Sequence, residues 1–192
     1  MASYKRDFLT ARHDDYESKF NDWNFHLLSY LGGQDYQNGY LLNRYVLESD
    51  EEYIKRMNNT PIDNHCKNVV QIYSSFLFRV PPTRNYGSLS GDEQLNNFLK
   101  DADLDGRSFD NIIREMQINA SIYGTCWAIM DKPAVQTETR AEEIQLDIRP
   151  YISVYTPENV LNWQFQRMIN GRYELVSLTL LENLQNDVAT IR

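Results

Sequence analysis

Between Asp14 and Leu31 the apolar residues Tyr16, Phe20, Trp23, Leu27 and Leu31 fall at steps of four, three, four and four, one face of an α-helix that Gly32-Gly33 ends. The polar run QDYQNGY, residues 34–40, reads as a loop because Asn38-Gly39 favours positive φ. Ser49 stands three residues before Glu52, the spacing at which a capping side chain and the third helical residue satisfy each other's N–H. A short helix is expected there, with Tyr53, Ile54 and Met57 on its apolar side. Thr60-Pro61-Ile62-Asp63 is a second start signal, with a Thr cap, Pro at the first helical position and an acid at the third. From it runs a stripe of Ile62, Cys66, Val69, Tyr73 and Phe76, widened by Val70, Ile72 and Leu77. This predicts a well-buried helix, stopped by Val80-Pro81-Pro82 because Pro lacks the helical N–H and pushes the preceding residue out of the α region.

A connector, RNYGSLSG, leads to a helix with Leu95, Phe98, Leu99 and Ala102 on one face. Ser108 then caps another, carrying Ile112, Ile113, Met116, Ala120 and Tyr123 and ending at Gly124. Beyond Gly124 the period changes. TCWAIMD reads as a strand, KPAVQTETRAEE as a polar connector, and YISVY, VLNWQFQ and RYELVSLTLLE as strands, the last two joined by the turn pair Asn170-Gly171. Helices followed by an antiparallel sheet make the class α+β. The expectation is one domain over residues 1–192, mainly helical through 124 and mainly antiparallel β from 125.

A hydrophobic fraction of 42% and an aromatic fraction of 12% fit a folded chain and supply rings for cores and subunit interfaces. The net charge of −8 repels nucleic acid overall, and no Lys/Arg cluster offsets it. Between Asp92 and Glu115 seven acids face three bases, half of the net charge, which reads as a solvated helical surface. Cys66 and Cys126 sit among apolar neighbours and read as small buried hydrophobes. No stretch approaches the roughly 20 apolar residues of a membrane span, and the start MASYKRDFLTARHDDY has no signal-peptide core, so a soluble intracellular protein is expected.

Candidate chemistry is sparse. Asp101-Ala-Asp103-Leu-Asp105-Gly106 matches the first half of an EF-hand calcium loop, yet the twelfth position, where a bidentate Glu closes the shell, is Ile112, and the eighth is Ser108. A helix–helix turn accounts for the same residues. GSLSG has Leu89 where a nucleophile elbow needs Ser. His13, His26 and His65 have no partner at metal-ligand spacing, and His65 reads as a half-buried helix residue. Glu51-Glu52 and Glu142-Glu143 fall at loops or helix starts. Trp127 and Trp163 suit core packing or stacking on a sugar or base. No catalytic, cofactor or metal residue is assigned.

The order of the pieces resembles the N-terminal region of tailed-bacteriophage portal proteins. It begins with His13-Asp14-Asp15-Tyr16, Trp23 and Gly32-Gly33, and continues through the tyrosine of Arg44-Tyr45-Val46-Leu47, Asp50-Glu51-Glu52-Tyr53 with Arg56, and Asn64 to Phe76-Leu77-Phe78-Arg79-Val80-Pro81-Pro82. Then come Asp105-Gly106-Arg107-Ser108, the glycine of Ile122-Tyr123-Gly124, Asp131-Lys132-Pro133, Arg149-Pro150-Tyr151, Pro157-Glu158-Asn159-Val160 with Trp163, and Leu181-Glu182. The resemblance implies a non-catalytic ring of typically twelve copies at one capsid vertex, through which double-stranded DNA is packaged and ejected. It implies as partners the major capsid protein, the large subunit of the packaging terminase and head-to-tail adaptor proteins, with assembly in the host cytoplasm and residence in the virion. The stem and clip that usually follow such a wing-like region have no counterpart in NLQNDVATIR, so the chain corresponds to the leading piece of a longer portal or to a truncated relative. Within the resemblance Phe78, Arg79, Pro81 and Pro82 are expected near a subunit contact, because an Arg amid apolar residues can pair with a carboxylate across an interface. Alternatives from other classes are a small hydrolase using paired carboxylates beside Trp127 or Trp163, and a calcium-responsive adaptor built on DADLDG.

Overall fold

The structure, a computed structural model, describes residues 11–39, 41–60, 63–135, 139–183 and 189–191. Along them run α1 (Asp14–Leu31), α2 (Gly33–Asn38), α3 (Asp50–Asn59), α4 (His65–Leu77), α5 (Glu93–Lys100), α6 (Phe109–Tyr123), β1 (Trp127–Asp131), α7 (Arg140–Gln145), β2 (Tyr151–Tyr155), β3 (Val160–Arg167), β4 (Tyr173–Asn183) and β5 (Ala189–Ile191). The class is α+β. The strands form two antiparallel sheets rather than one, β1-β2 and β3-β4-β5. Two compact units are present, residues 1–72 with 157–192 and residues 73–156, so the change of texture at Gly124 is not where the units divide.

In the first unit α1 lays its aromatic face on the 3-10 turn Pro157–Asn159 that leads into β3. His13 caps the helix through Nδ1, and its own N–H donates to the Leu161 carbonyl at 3.0 Å. Tyr16 and Trp23 are buried edge to face at 5.7 Å, and the Tyr16 hydroxyl donates to the Glu158 carbonyl at 3.1 Å. Val160, Leu161 and Leu180 complete this core. Gly32 has φ 66°, and a Cβ there would lie 2.6 Å from the Asn64 side chain, whose amide donates to the Tyr30 carbonyl. Glycine is therefore required both by conformation and by the close approach of Asn64. The hydrophilic run after Gly33 is helical, not a loop: α2 is barely a turn and a half with no buried residue, so it carries no apolar period to read.

Asn64, not Thr60, serves the start of α4: its Oδ1 accepts from the Lys67 N–H at 2.9 Å, whereas Thr60 closes α3 and donates its hydroxyl to the Arg56 carbonyl at 2.6 Å. Pro61 and Ile62 lie outside the described residues. β3 and β4 meet through a loop in which the Gly171 N–H donates to the Met168 carbonyl at 2.9 Å, with Gly171 at φ 80°. The turn is thus longer than the two-residue form, and glycine takes its left-handed position.

The second unit is built on Ala102, Ile112 and Ile152, with Phe98, Phe109, Met116 and Val154 packed around them. Ser108 caps α6 as expected, and Gly124 closes it in the left-handed conformation. β1 and β2 pair from Trp127 opposite Tyr155 to Asp131 opposite Tyr151. The connector between them hides α7, capped by Thr139 with Glu142 and Glu143 in its first turn. Ala102 lies past the end of α5, and its two backbone groups bridge the unit: its N–H donates to Arg107 at 2.7 Å and its carbonyl accepts from Ile152 at 2.8 Å.

Ile112 has no exposed surface, so Ile112→Ala should cost about 2–5 kcal/mol of stability in a urea titration. Ile72, more than half exposed, should lose less than about 1 kcal/mol on the same change. Equal losses would mean that α4 turns its apolar face inward.

Candidate interaction surface

The sequence stripe along α4 predicts a core helix, and the single chain does the opposite with it. Ser74 is the helix's buried residue, at 0% exposure, and accepts a hydrogen bond from Arg114 Nε at 3.3 Å. Val69, Ile72, Tyr73, Phe76 and Leu77 are all more than half exposed, and Phe76 reaches 70%. At 100° per residue these side chains share one arc, turned away from Ser74. Cys66, expected buried, and His65, expected half-buried, are both exposed with them. A period of 3.6 says that a face must be covered; it does not say by which chain.

The helix ends in a tightened turn, with the Arg79 N–H on the Phe76 carbonyl at 3.4 Å, and Val80-Pro81-Pro82 leads away exposed. Phe78 is half-buried; Arg79, Pro81 and Pro82 are exposed. Among the described residues Arg79 has no ion-pair partner, whereas Arg84, five residues on, is held by Asp110 at 2.5 Å and lies over the Phe109 ring at 5.1 Å. The surface at this end is therefore Tyr73, Phe76, Leu77 and Val80 with one cation beside them. Burying each such side chain fully is worth about 1.5–3 kcal/mol, which favours a partner of some kind.

A second apolar feature was not singled out from the sequence. In the β-turn from Tyr45 to Glu48, closed by the Glu48 N–H on the Tyr45 carbonyl at 3.1 Å, the central residues Val46 and Leu47 are 99% and 97% exposed. Arg56 grips both Glu48 carboxylate oxygens at 2.8 Å and the Asn43 carbonyl at 2.7 Å, with Tyr45 and Tyr53 against its face at 4.6 and 5.5 Å. Arg44 donates to the Glu48 carbonyl at 2.8 Å and pairs with Asp50 at 2.6 Å. The hydrogen bond from Arg56 holds the Glu48 pKa below its ordinary value, and Glu48 in turn raises that of Arg56. Glu52 closes the capping box with Ser49 as expected. The available signal was two aliphatic residues where turns favour Gly, Asn, Asp or Pro.

The DADLDG residues are committed to each other. Asp101 accepts from the Gly106 N–H at 2.8 Å and from Arg149 at 2.7 Å; Asp103 accepts from the Asp105 and Arg107 N–H groups at 3.0 Å and from the Arg107 guanidinium, which also reaches Glu115. Leu104 takes a left-handed conformation, φ 67°, to let the loop coil. Burial of Asp103 opposes its ionisation, and the hydrogen bonds from Arg107 and Asp105 outweigh that, lowering its pKa from 3.8 to about 2. The loop is a helix connection, and among the described residues no three acidic, His or Cys side chains are placed to hold a metal ion. Much of the acidic segment is thus ion-paired rather than solvated.

An open groove of about 680 Å³ lies where His13 stacks on Trp163, ring centroids 4.0 Å apart, bordered by Arg12, Asn162, Gln164 and Phe165. One face of the Trp163 ring is already taken by His13. Trp127 is half-buried on β1, and Cys126, just before it, has its thiol pKa raised by burial. GSLSG contains a single 3-10 turn, Gly87–Leu89. Among the described residues no helix is long and apolar enough to cross a membrane.

No protein-family model matches this chain, and no curated protein is significantly similar to it.

Because Asp103 is depressed in the folded state, its stabilisation is complete above pH 3.8 and is lost as pH falls toward about 2. Urea midpoints at pH 5, 3 and 2 should show this loss, and Asp103→Asn should remove it while lowering stability at pH 5. Millimolar calcium should leave the pH 7 midpoint unchanged; a rise would show that the loop opens to bind the ion.

Proposed function

We propose that the chain is a structural subunit of a tailed-phage portal ring, its outer wing-like portion, working by self-association and partner docking without chemistry of its own. The observation that carries this reading is the uncovered apolar face at the C-terminal end of α4, with Arg79 beside it lacking an ion-pair partner among the described residues. A face of that size belongs against another protein surface.

A second line of support comes from the residues on which the portal resemblance rests. Several of them, far apart in sequence, meet in space: His13 stacks on Trp163, Tyr16 bonds to Glu158, and Gly32 closes on Asn64; nearer neighbours also meet, Arg56 with Tyr45 and Tyr151 with Asp131 at 3.4 Å. A chance scatter of short matches has no reason to coincide with the contacts that hold a fold. In this reading the ring, of about twelve copies, sits at a capsid vertex in the virion after assembly in the host cytoplasm. It meets the major capsid protein, the terminase large subunit and head-to-tail adaptors, and passes double-stranded DNA without reading sequence. A net charge of −8 suits a wall that phosphates slide past rather than grip.

Light scattering on the purified chain tests this. The expected result is a species many times the monomer mass, shifted toward monomer by Arg79→Ala and more strongly by Phe76→Ala, each variant melting within about 0.5 kcal/mol of the parent in stability. A parent that remains monomeric at high concentration and turns over a polysaccharide would replace the proposal with the hydrolase reading.

A further inference from the structure

The two exposed apolar features are different in shape and in electrostatic setting. The Tyr45–Glu48 turn is a convex knob on a fixed base: its backbone is tied by Arg44 and its side-chain clamp by Arg56 and Glu48. Little conformational entropy remains to be lost when Val46 and Leu47 are buried, which is what a preorganised binding element provides. Turn centres are normally polar, and two adjacent, fully exposed aliphatics on a fixed turn offer apolar area that a partner surface can bury. The knob stands beside the first turn of α3, where Asp50 is paired with Arg44 and Glu52 is tied into the capping box; with Glu48 held by Arg56, the exposed Glu51 is the acid there without an ion-pair partner among the described residues.

The α4 end is the reverse. After Asp63 the next carboxylate is Asp92, so 28 consecutive residues carry none in a chain with 27 acids; within that run Tyr73, Phe76, Leu77 and Val80 are exposed around Arg79. An apolar helix end with an exposed cation complements an apolar knob with the exposed Glu51 carboxylate beside it.

We propose that Val46 and Leu47 of one copy seat on the Tyr73, Phe76, Leu77 and Val80 face of a second copy, with Arg79 of that copy facing Glu51 in the first turn of α3. The partner is a second copy of this chain, so the inference rests on the self-associating subunit proposed above. Because the knob and the face are separate surfaces, the contact is head to tail: each copy keeps one free knob and one free face, and the series ends only when it closes.

Two variants disable the opposite halves of the contact. Leu47→Asp and Phe76→Asp change exposed side chains and should melt like the parent, and each alone should raise the concentration for half-assembly by at least about tenfold. Mixed in equal amounts they should form heterodimers and nothing larger, since each retains the surface that the other has lost. In a Cys66→Ser, Cys126→Ser background, Leu47→Cys with Phe76→Cys should give a ladder of chain-to-chain disulfides on mild oxidation. Assembly untouched by Leu47→Asp, with no such ladder, would overturn the pairing and leave the ring intact as a reading. A ladder from open chains or dimers would support the pairing and remove the ring. A parent that never self-associates would remove both, and cross-linking of the knob to a different protein in place of a second copy would overturn the choice of partner.

Discussion

Arg149 is the side chain on which the second unit depends. It is 4% exposed, and its charge is met by the Asp101 carboxylate at 2.7 Å, by the Asp101 carbonyl and by Asp147 at 3.0 Å. A guanidinium so far from water is tolerated only with its donors filled, and an arginine meets that demand with a planar fork that a lysine lacks. Fixing Asp101 fixes Ala102, whose backbone joins the loop to β2, and the coil of the loop sets Ser108 where it can cap α6. Two of the carboxylates that imitate a calcium site are spent on holding the loop, Asp101 on Arg149 and Asp103 on Arg107.

The consequence reaches α4 through two polar contacts. Arg114 on α6 bonds to Ser74, and Asp110 at the start of α6 holds Arg84 beyond the proline corner. A hydroxyl is thus the buried point of α4, and the apolar arc is left in water. Folded proteins are stable by only about 5–15 kcal/mol, and leaving five large apolar side chains wet forgoes a comparable sum. Self-association of the proposed kind would recover it. The clamped turn at Val46 and Leu47 makes the same point from the opposite direction, because the ion pairs there hold apolar atoms out rather than in.

How much of this could be read from the sequence follows from what local patterns encode. The Ser49–Glu52 box, the Ser108 cap, Gly124 and the strand periods are local chemistry, and they appear where expected. The α2 and α7 helices escaped because six residues with at most two apolar positions are too short to show a period. The division of the strands into two sheets depends on pairing over long separations, which alternation does not reveal. The stripe on α4 was legible and its destination was not, since an interface stripe and a core stripe obey one rule. Val46 and Leu47 were visible as letters, yet only the turn geometry makes them conspicuous.

The central claim is that the apolar end of α4 belongs in an interface between copies of this chain that repeats until it closes. Electron microscopy of the purified protein tests it most directly. The account predicts closed rings seen end-on with cyclic symmetry, subunits contacting their neighbours through this helix end. A field of single small particles, or an assembly in which the Tyr73 to Val80 segment faces solvent, would contradict it.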